Sequence, residues 1–156
     1  MSTKQLYFED ITEGADMPAL PKIATTQMLV RWAGASLDFN PLHYEKSFAE
    51  MAGIGDPIVH GSLKCAWLGS YVAGWIGEEG VLKKYSVQYR GMDKPRKMAG
   101  LTEPQDGETW HCKGKILKKY TAGDENLVDL QICVENGKGE ITTPGTATVA
   151  LPSKKR

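Results

Sequence analysis

Gly61-Ser62-Leu63-Lys64-Cys65-Ala66-Trp67-Leu68-Gly69-Ser70-Tyr71-Val72-Ala73-Gly74-Trp75-Ile76 is the longest apolar stretch of the chain. Leu63, Ala66, Trp67, Ser70, Tyr71 and Gly74 recur at helical spacing, which predicts one long helix from Gly61 to about Ile76. Small residues (Ala66, Gly69, Ser70, Ala73 and Gly74) alternate with large ones, so the helix is expected to lie close against a sheet and to be mostly buried.

C-terminal to this segment the period of the apolar residues changes from 3.6 to 2. Val81, Tyr85, Val87 and Tyr89 alternate with polar residues, as do Trp110, Cys112 and Ile116, then Val128, Leu130, Ile132 and Val134, and last Ile141, Ala147, Val149 and Leu151. Asn136-Gly137-Lys138-Gly139 reads as the hairpin turn between the last two strands, and Pro144 predicts a bulge or an edge in the final one. On the N-terminal side, Met17 to Thr25 reads as an irregular, proline-containing opening strand. Thr25 or Thr26 is the expected N-cap of a helix that carries Met28, Leu29, Trp32 and Ala33 on one face and stops near Ser36. Ser47 to Ala52 reads as a short helix that Gly53 terminates. Helices first and long meandering strands after them define an α+β fold, with an antiparallel sheet wrapped around one central helix. The whole chain, residues 1–156, is expected to form a single domain with a frayed basic tail over residues 153–156.

Composition narrows the function. Nineteen basic and nineteen acidic residues cancel, which argues against a nucleic-acid binder resting on a basic face. No segment reaches the roughly 20 apolar residues of a membrane span, and residues 1–10 lack the basic flank and apolar core of a secretory leader. Cys65, Cys112 and Cys133 are an odd number without a C-x-x-C pair and are expected to be reduced, buried thiols of a cytoplasmic protein. Together with His43, His60 and His111 they match no zinc spacing, so no metal site is expected.

The residues with chemical potential lie just before the central helix. Asp38-Phe39-Asn40-Pro41-Leu42-His43 sets a carboxylate and an imidazole five positions apart across a proline-stiffened turn. The same six residues make a good turn on structural grounds alone, since Asp and Asn bond their own backbone and Pro fixes φ. Convergence on one water would instead make Asp38 and His43 a pair able to take and return a proton. Pro57-Ile58-Val59-His60-Gly61 ends at the expected helix start, where the Gly61 N–H either permits close packing or faces a developing negative oxygen. His60 itself reads as structural, as do Trp67, Tyr71 and Trp75.

This pair of motifs resembles the signature of the MaoC-like, (R)-specific enoyl-CoA hydratase family, whose members have the hot-dog fold. The resemblance is specific between about Trp32 and Trp67, where Ala33-Gly34-Ala35-Ser36, Phe48-Ala49 and Ala52-Gly53 also match. It implies a hydro-lyase of fatty-acid or related acyl-CoA metabolism that reversibly hydrates a trans-2-enoyl thioester to the (R)-3-hydroxyacyl thioester. Asp38 and His43 would hold the water, Asn40 would orient their loop, and the Gly61 amide would bind the thioester oxygen. No cofactor is implied beyond coenzyme A as part of the substrate, and a homodimer or higher homo-oligomer is expected.

Two departures from the family pattern stand out. Leu37 precedes Asp38 where many members carry a small or polar residue. Residues 91–106 look like a loop insertion before Gly107-Glu108-Thr109, expected near the pocket mouth or the dimer interface. Lys83, Lys84, Arg90, Lys94, Arg96 and Lys97 cluster against the single acid Asp93, with Arg90 and Lys94 the best candidates for the coenzyme A phosphates and a solvated face the alternative. The competing functions are a non-catalytic acyl-thioester-binding partner subunit and a hot-dog thioesterase.

Overall fold

The computed structural model describes residues 5–154. Strand β1 (Asp16–Lys22) is followed by α1 (Thr26–Ser36), α2 (Lys46–Met51) and α3 (Gly61–Ile76), and then by β2 (Val81–Val87), β3 (Trp110–Ala122), β4 (Glu125–Glu135) and β5 (Ile141–Ala150). All five strands join one antiparallel sheet in the order β1-β3-β4-β5-β2. The α+β architecture expected from the sequence is the one observed: a curled sheet around α3. Among the described residues no helix is long and apolar enough to cross a membrane.

The core is the seam between α3 and the concave sheet face. Leu63, Trp67, Leu68, Tyr71, Val72 and Ile76 pack against Trp110, Cys112, Ile116, Val128, Leu130, Ile132, Val134, Ala147 and Val149. These strand residues are alternating positions of the sequence, but Val81, Tyr89 and Ile141 of the expected set are exposed, and at the start of β5 Thr142 and Thr143 are buried in place of Ile141. A register shift between Val134 and Glu135, where β4 meets Ile141–Thr143 of β5, turns Ile141 outward. Pro144 lies two residues beyond that shift, on the interior strand β5, so the bulge is present beside it but the edge is not. Its carbonyl accepts from Gln88, just past the end of β2, so its missing N–H falls where the neighbouring strand has run out.

α3 has the predicted bounds but not the predicted close seating. Its large residues meet the sheet, whereas Ser70, Ala73 and Gly74 are exposed. A Cβ placed on Gly69 or Gly74 would meet nothing within 4 Å. Both faces of this helix are apolar, and the bulky one buries more area.

α1 begins where Thr25 caps it, its Oγ1 accepting the Met28 N–H at 3.1 Å. The Asn136 side chain closes the β4–β5 hairpin by accepting from the N–H groups of Lys138 and Glu140. Of the expected frayed tail, Ser153 and Lys154 are instead held: Glu9 accepts from the Ser153 hydroxyl and the Lys154 N–H, and Asp10 pairs with the Lys154 ammonium. Residues 155 and 156 lie outside the described residues. Cys112 is buried, but Cys65 and Cys133 are only half-buried, and all three are free thiols.

Candidate active site

α1 stops at Ser36 because that hydroxyl turns back to the Trp32 carbonyl at 2.7 Å and also accepts the Asp38 N–H at 3.3 Å. Leu37 bridges the two in the left-handed region, φ 61°, as the only non-glycine residue with positive φ among those described. The chain then folds on itself. Asp38 Oδ1 accepts the Asn40 N–H at 3.4 Å, and Asn40 Oδ1 accepts the Leu42 N–H at 3.1 Å, capping a single 3-10 turn over Pro41–His43. The Asn40 carbonyl also accepts the His43 N–H at 3.0 Å, so Asn40 fixes the loop through its own backbone neighbours. Trp32 Nε1 donates to Ser62 Oγ at 2.9 Å and ties α1 to the first turn of α3, setting this loop over the N-terminus of the central helix.

Asp38 and His43 meet there. His43 Nε2 lies 3.9 Å from Asp38 Oδ2. The other ring nitrogen, Nδ1, is 2.8 Å from the Ile58 carbonyl. A carbonyl only accepts, so Nδ1 carries the proton and Nε2 offers its lone pair toward the carboxylate side. The separation is too long for a direct hydrogen bond and suits two acceptors that share one water. His43 is largely enclosed, with 11% of its side chain exposed, whereas Asp38 retains 42%.

His60, the N-cap residue of α3, is fully buried and stacks on His43. Its Nε2 donates to the Asp38 carbonyl at 3.2 Å, and its Nδ1 has no partner. Burial, together with the neighbouring His43, pushes its pKa below the ordinary 6.5. The structural role expected of His60 therefore has a definite content: it holds the Asp38 backbone and supports the His43 ring. Asp38, His43 and His60 bring three potential ligand atoms within 4.8 Å of one another. The two imidazoles lie face to face, however, so their in-plane lone pairs run side by side and do not converge on one ion.

Gly61 opens α3, and the first N–H groups of a helix have no acceptor within it. A cleft of about 220 Å³ runs past it, lined among others by His43, Gly61, Lys64, Tyr89, Arg90 and Gly91. A Cβ at Gly61 would sit 2.8 Å from Tyr89 Cγ, so the ring lies flush on the glycine and helps wall the cleft. This close approach explains why a glycine stands at the helix start.

The basic cluster divides. Arg90 lines the cleft, its guanidinium steadied by Gln88 Oε1 through Nε at 3.0 Å and Nη2 at 2.5 Å. Lys94 and Lys97 flank Asp56 at 4.0 and 3.8 Å. Arg96 turns inward and clamps the Glu108 carbonyl and the Thr109 hydroxyl. Lys83 pairs with Glu125 across the sheet surface. Within residues 91–106, Gly91 and Met92 line the cleft, while Arg96 exchanges backbone hydrogen bonds with Ala24 and Thr26 and so packs the loop over the start of α1.

Sequence reasoning missed one element of the site. Lys64, on the first turn of α3, is buried against Asp93, with Nζ 2.5 Å from Asp93 Oδ2 and 2.9 Å from the Gly91 carbonyl. The signal was present: a lone lysine inside an apolar helix needs a counter-charge, and Asp93 is the single acid in the basic cluster.

A curled antiparallel sheet around one long helix, with a polar loop laid across that helix's N-terminus, defines a hot-dog protein. The sequence model of the MaoC like domain matches residues 12–115, and the chain belongs to that family. In three dimensions it is similar to the (R)-hydratase from A. caviae involved in PHA biosynthesis, with a TM-score of 0.76 and 21% identity over 92% of this chain and 99% of that one. The R-hydratase PhaJ1 from Pseudomonas aeruginosa superposes with a TM-score of 0.81 and 18% identity, covering 96% of this chain and 88% of that one. Among curated proteins, the fatty acid synthase beta subunit hexB of Dothistroma septosporum is 31% identical over 121 residues, 76% of this chain. The match spans only 6% of that polypeptide. The family model assigns the MaoC like domain, and the solved neighbours share its fold.

Proposed function

We propose that the protein reversibly hydrates a trans-2-enoyl-CoA, or a related enoyl thioester, to the (R)-3-hydroxyacyl thioester. The observation that carries this is the setting of His43: its Nδ1 lies 2.8 Å from the Ile58 carbonyl, which leaves Nε2 facing the Asp38 carboxylate at 3.9 Å, a spacing that one water can bridge. His43 Nε2 accepts a proton from that water as its oxygen bonds to the β-carbon. The C=C π pair moves onto the α-carbon and the thioester carbonyl, where the Gly61 N–H at the positive end of α3 receives the enolate oxygen. The same proton, returned by the Asp38/His43 pair, then bonds to the α-carbon on the same face. Water is thus added without redox change. The thioester supplies the activation, so this route needs no metal and no cofactor other than coenzyme A in the substrate. Arg90 at the cleft and Lys94, which lies 4.0 Å from Asp56, are the cations assigned to the coenzyme A phosphates. The free thiols accord with a cytoplasmic location, and the open sheet edges with a homodimer or larger homo-oligomer.

The test follows crotonyl-CoA hydration by the loss of enoyl-thioester absorbance, for the wild type beside Asp38→Asn and His43→Gln. Activity in the isolated protein, falling by at least about a hundredfold in both variants, is the expected result. A silent wild type across short, long and branched enoyl-CoAs would favour an acyl-thioester-binding partner subunit, and release of free coenzyme A would indicate a thioesterase.

A further inference from the structure

The buried Lys64–Asp93 pair has no part in the hydration chemistry, yet Lys64 lines the cleft. Lys64 lies three residues beyond Gly61, about 4.5 Å further along the axis of α3. Its side chain is 1% exposed and that of Asp93 is 3% exposed. An ammonium carries three N–H donors. Among the described residues two have acceptors, Asp93 Oδ2 and the Gly91 carbonyl. The third has none. A charged donor left unpaired inside a protein costs more than a neutral one, so an acceptor from outside the chain is favoured there. Lys64 and Gly91, the source of one of those acceptors, both line the cleft that also holds His43 and Gly61.

We propose that Lys64 gives this third hydrogen bond to an oxygen on the acyl chain, so that the cleft selects thioesters oxygenated beyond the reacting double bond. Charge narrows the class further. Asp93 already neutralises the ammonium at 2.5 Å, and a second buried anion would face that carboxylate without compensation. The selected oxygen is therefore neutral, a ketone or a hydroxyl, and not a terminal carboxylate. This inference rests on the enoyl-thioester function but is tested by binding, which does not depend on turnover.

Dissociation constants for 4-oxopentanoyl-CoA and 5-oxohexanoyl-CoA are compared with those for pentanoyl-CoA and hexanoyl-CoA, with glutaryl-CoA as the charged control. The wild type should bind at least one oxo compound about tenfold more tightly than its plain counterpart, the scale of a hydrogen bond to a charged donor. Glutaryl-CoA should gain nothing. In Lys64→Met/Asp93→Leu, which replaces the pair by apolar groups of similar size, the preference should vanish while the plain acyl-CoAs still bind. Equal affinities in the wild type, as expected if only water meets the third donor, overturn the proposal even if that double variant does not fold. So does a preference that survives in a folded double variant. Crotonyl-CoA hydration with equal affinities sinks this inference alone; no acyl-CoA binding at all sinks it together with the hydratase function.

Discussion

The imidazoles of His43 and His60 are stacked, with ring centres 3.7 Å apart and planes 20° from parallel. Each ring is assigned its proton by a different backbone carbonyl, His43 by Ile58 and His60 by Asp38. The two carbonyls thus fix both tautomers, and a positive charge on one ring disfavours a charge on the other. In the proposed reaction His43 takes a proton more readily while the stacked His60 stays neutral.

That coupling gives the folded protein a pH dependence of definite sign. Burial first, and the neighbouring His43 second, lower the His60 pKa below 6.5, against the opposing hydrogen bond to Asp38. The unfolded chain therefore binds the proton first. The stabilisation is complete above the unfolded value and is lost as pH falls from about 6.5 toward the lower folded value. Urea midpoints should drop between about pH 7.5 and pH 5.5 in the wild type. They should drop less in His60→Gln, which starts from a lower stability but has lost this titration. Parallel pH profiles for the two proteins would refute the assignment.

The contact between Gly61 and Tyr89 predicts a second outcome. A methyl at Gly61 would fall 2.8 Å from Cγ, close to the root of the ring where rotation gives little relief, so Gly61→Ala must move either the ring or the helix start. In the proposed hydration a displaced Gly61 amide no longer meets the enolate oxygen, and kcat/KM should fall by about tenfold or more. Tyr89 is half exposed, so Tyr89→Ala alone should be mild and should restore part of the loss when combined with Gly61→Ala. Additive effects in the double variant would separate the glycine from the ring.

Much of this arrangement was legible in the sequence because local chemistry and tertiary packing agree. Thr25 caps α1, Gly61 opens α3, and the alternating residues of β3 and β4 enter the core in the expected phase. What escaped was decided at a distance. The packing face of α3 could not be read from periodicity, because Trp67 and Leu68 on one side and Ala73 and Gly74 on the other are all apolar. The phase of β5 changes at a bulge that only its pairing with β4 defines. The pairing of Lys64 escaped because its counter-ion lies 29 residues away in an irregular loop. In the site itself, the Asp-to-His spacing pointed to the pair, but the proton assignment depends on Ile58, which carries no mark in sequence.

Leu37 is the remaining departure, and its geometry makes a prediction in both directions. It must be left-handed, φ 61° and ψ 17°, for the chain to reverse after α1 and bring the Asp38 carbonyl under His60. The residue is 78% exposed, so little burial offsets the conformational cost of a branched residue in that region. Asparagine tolerates the left-handed region without adding the backbone freedom of glycine to the unfolded chain. Leu37→Asn should therefore stabilise the protein by about 0.5–1 kcal/mol in urea denaturation. Leu37→Val, β-branched and poorly suited to positive φ, should destabilise it and lower kcat/KM, because the backbone that resists at residue 37 is the one that aims Asp38. A neutral Val variant would mean that the turn is held from outside, by the Ser36 and Asn40 side chains alone.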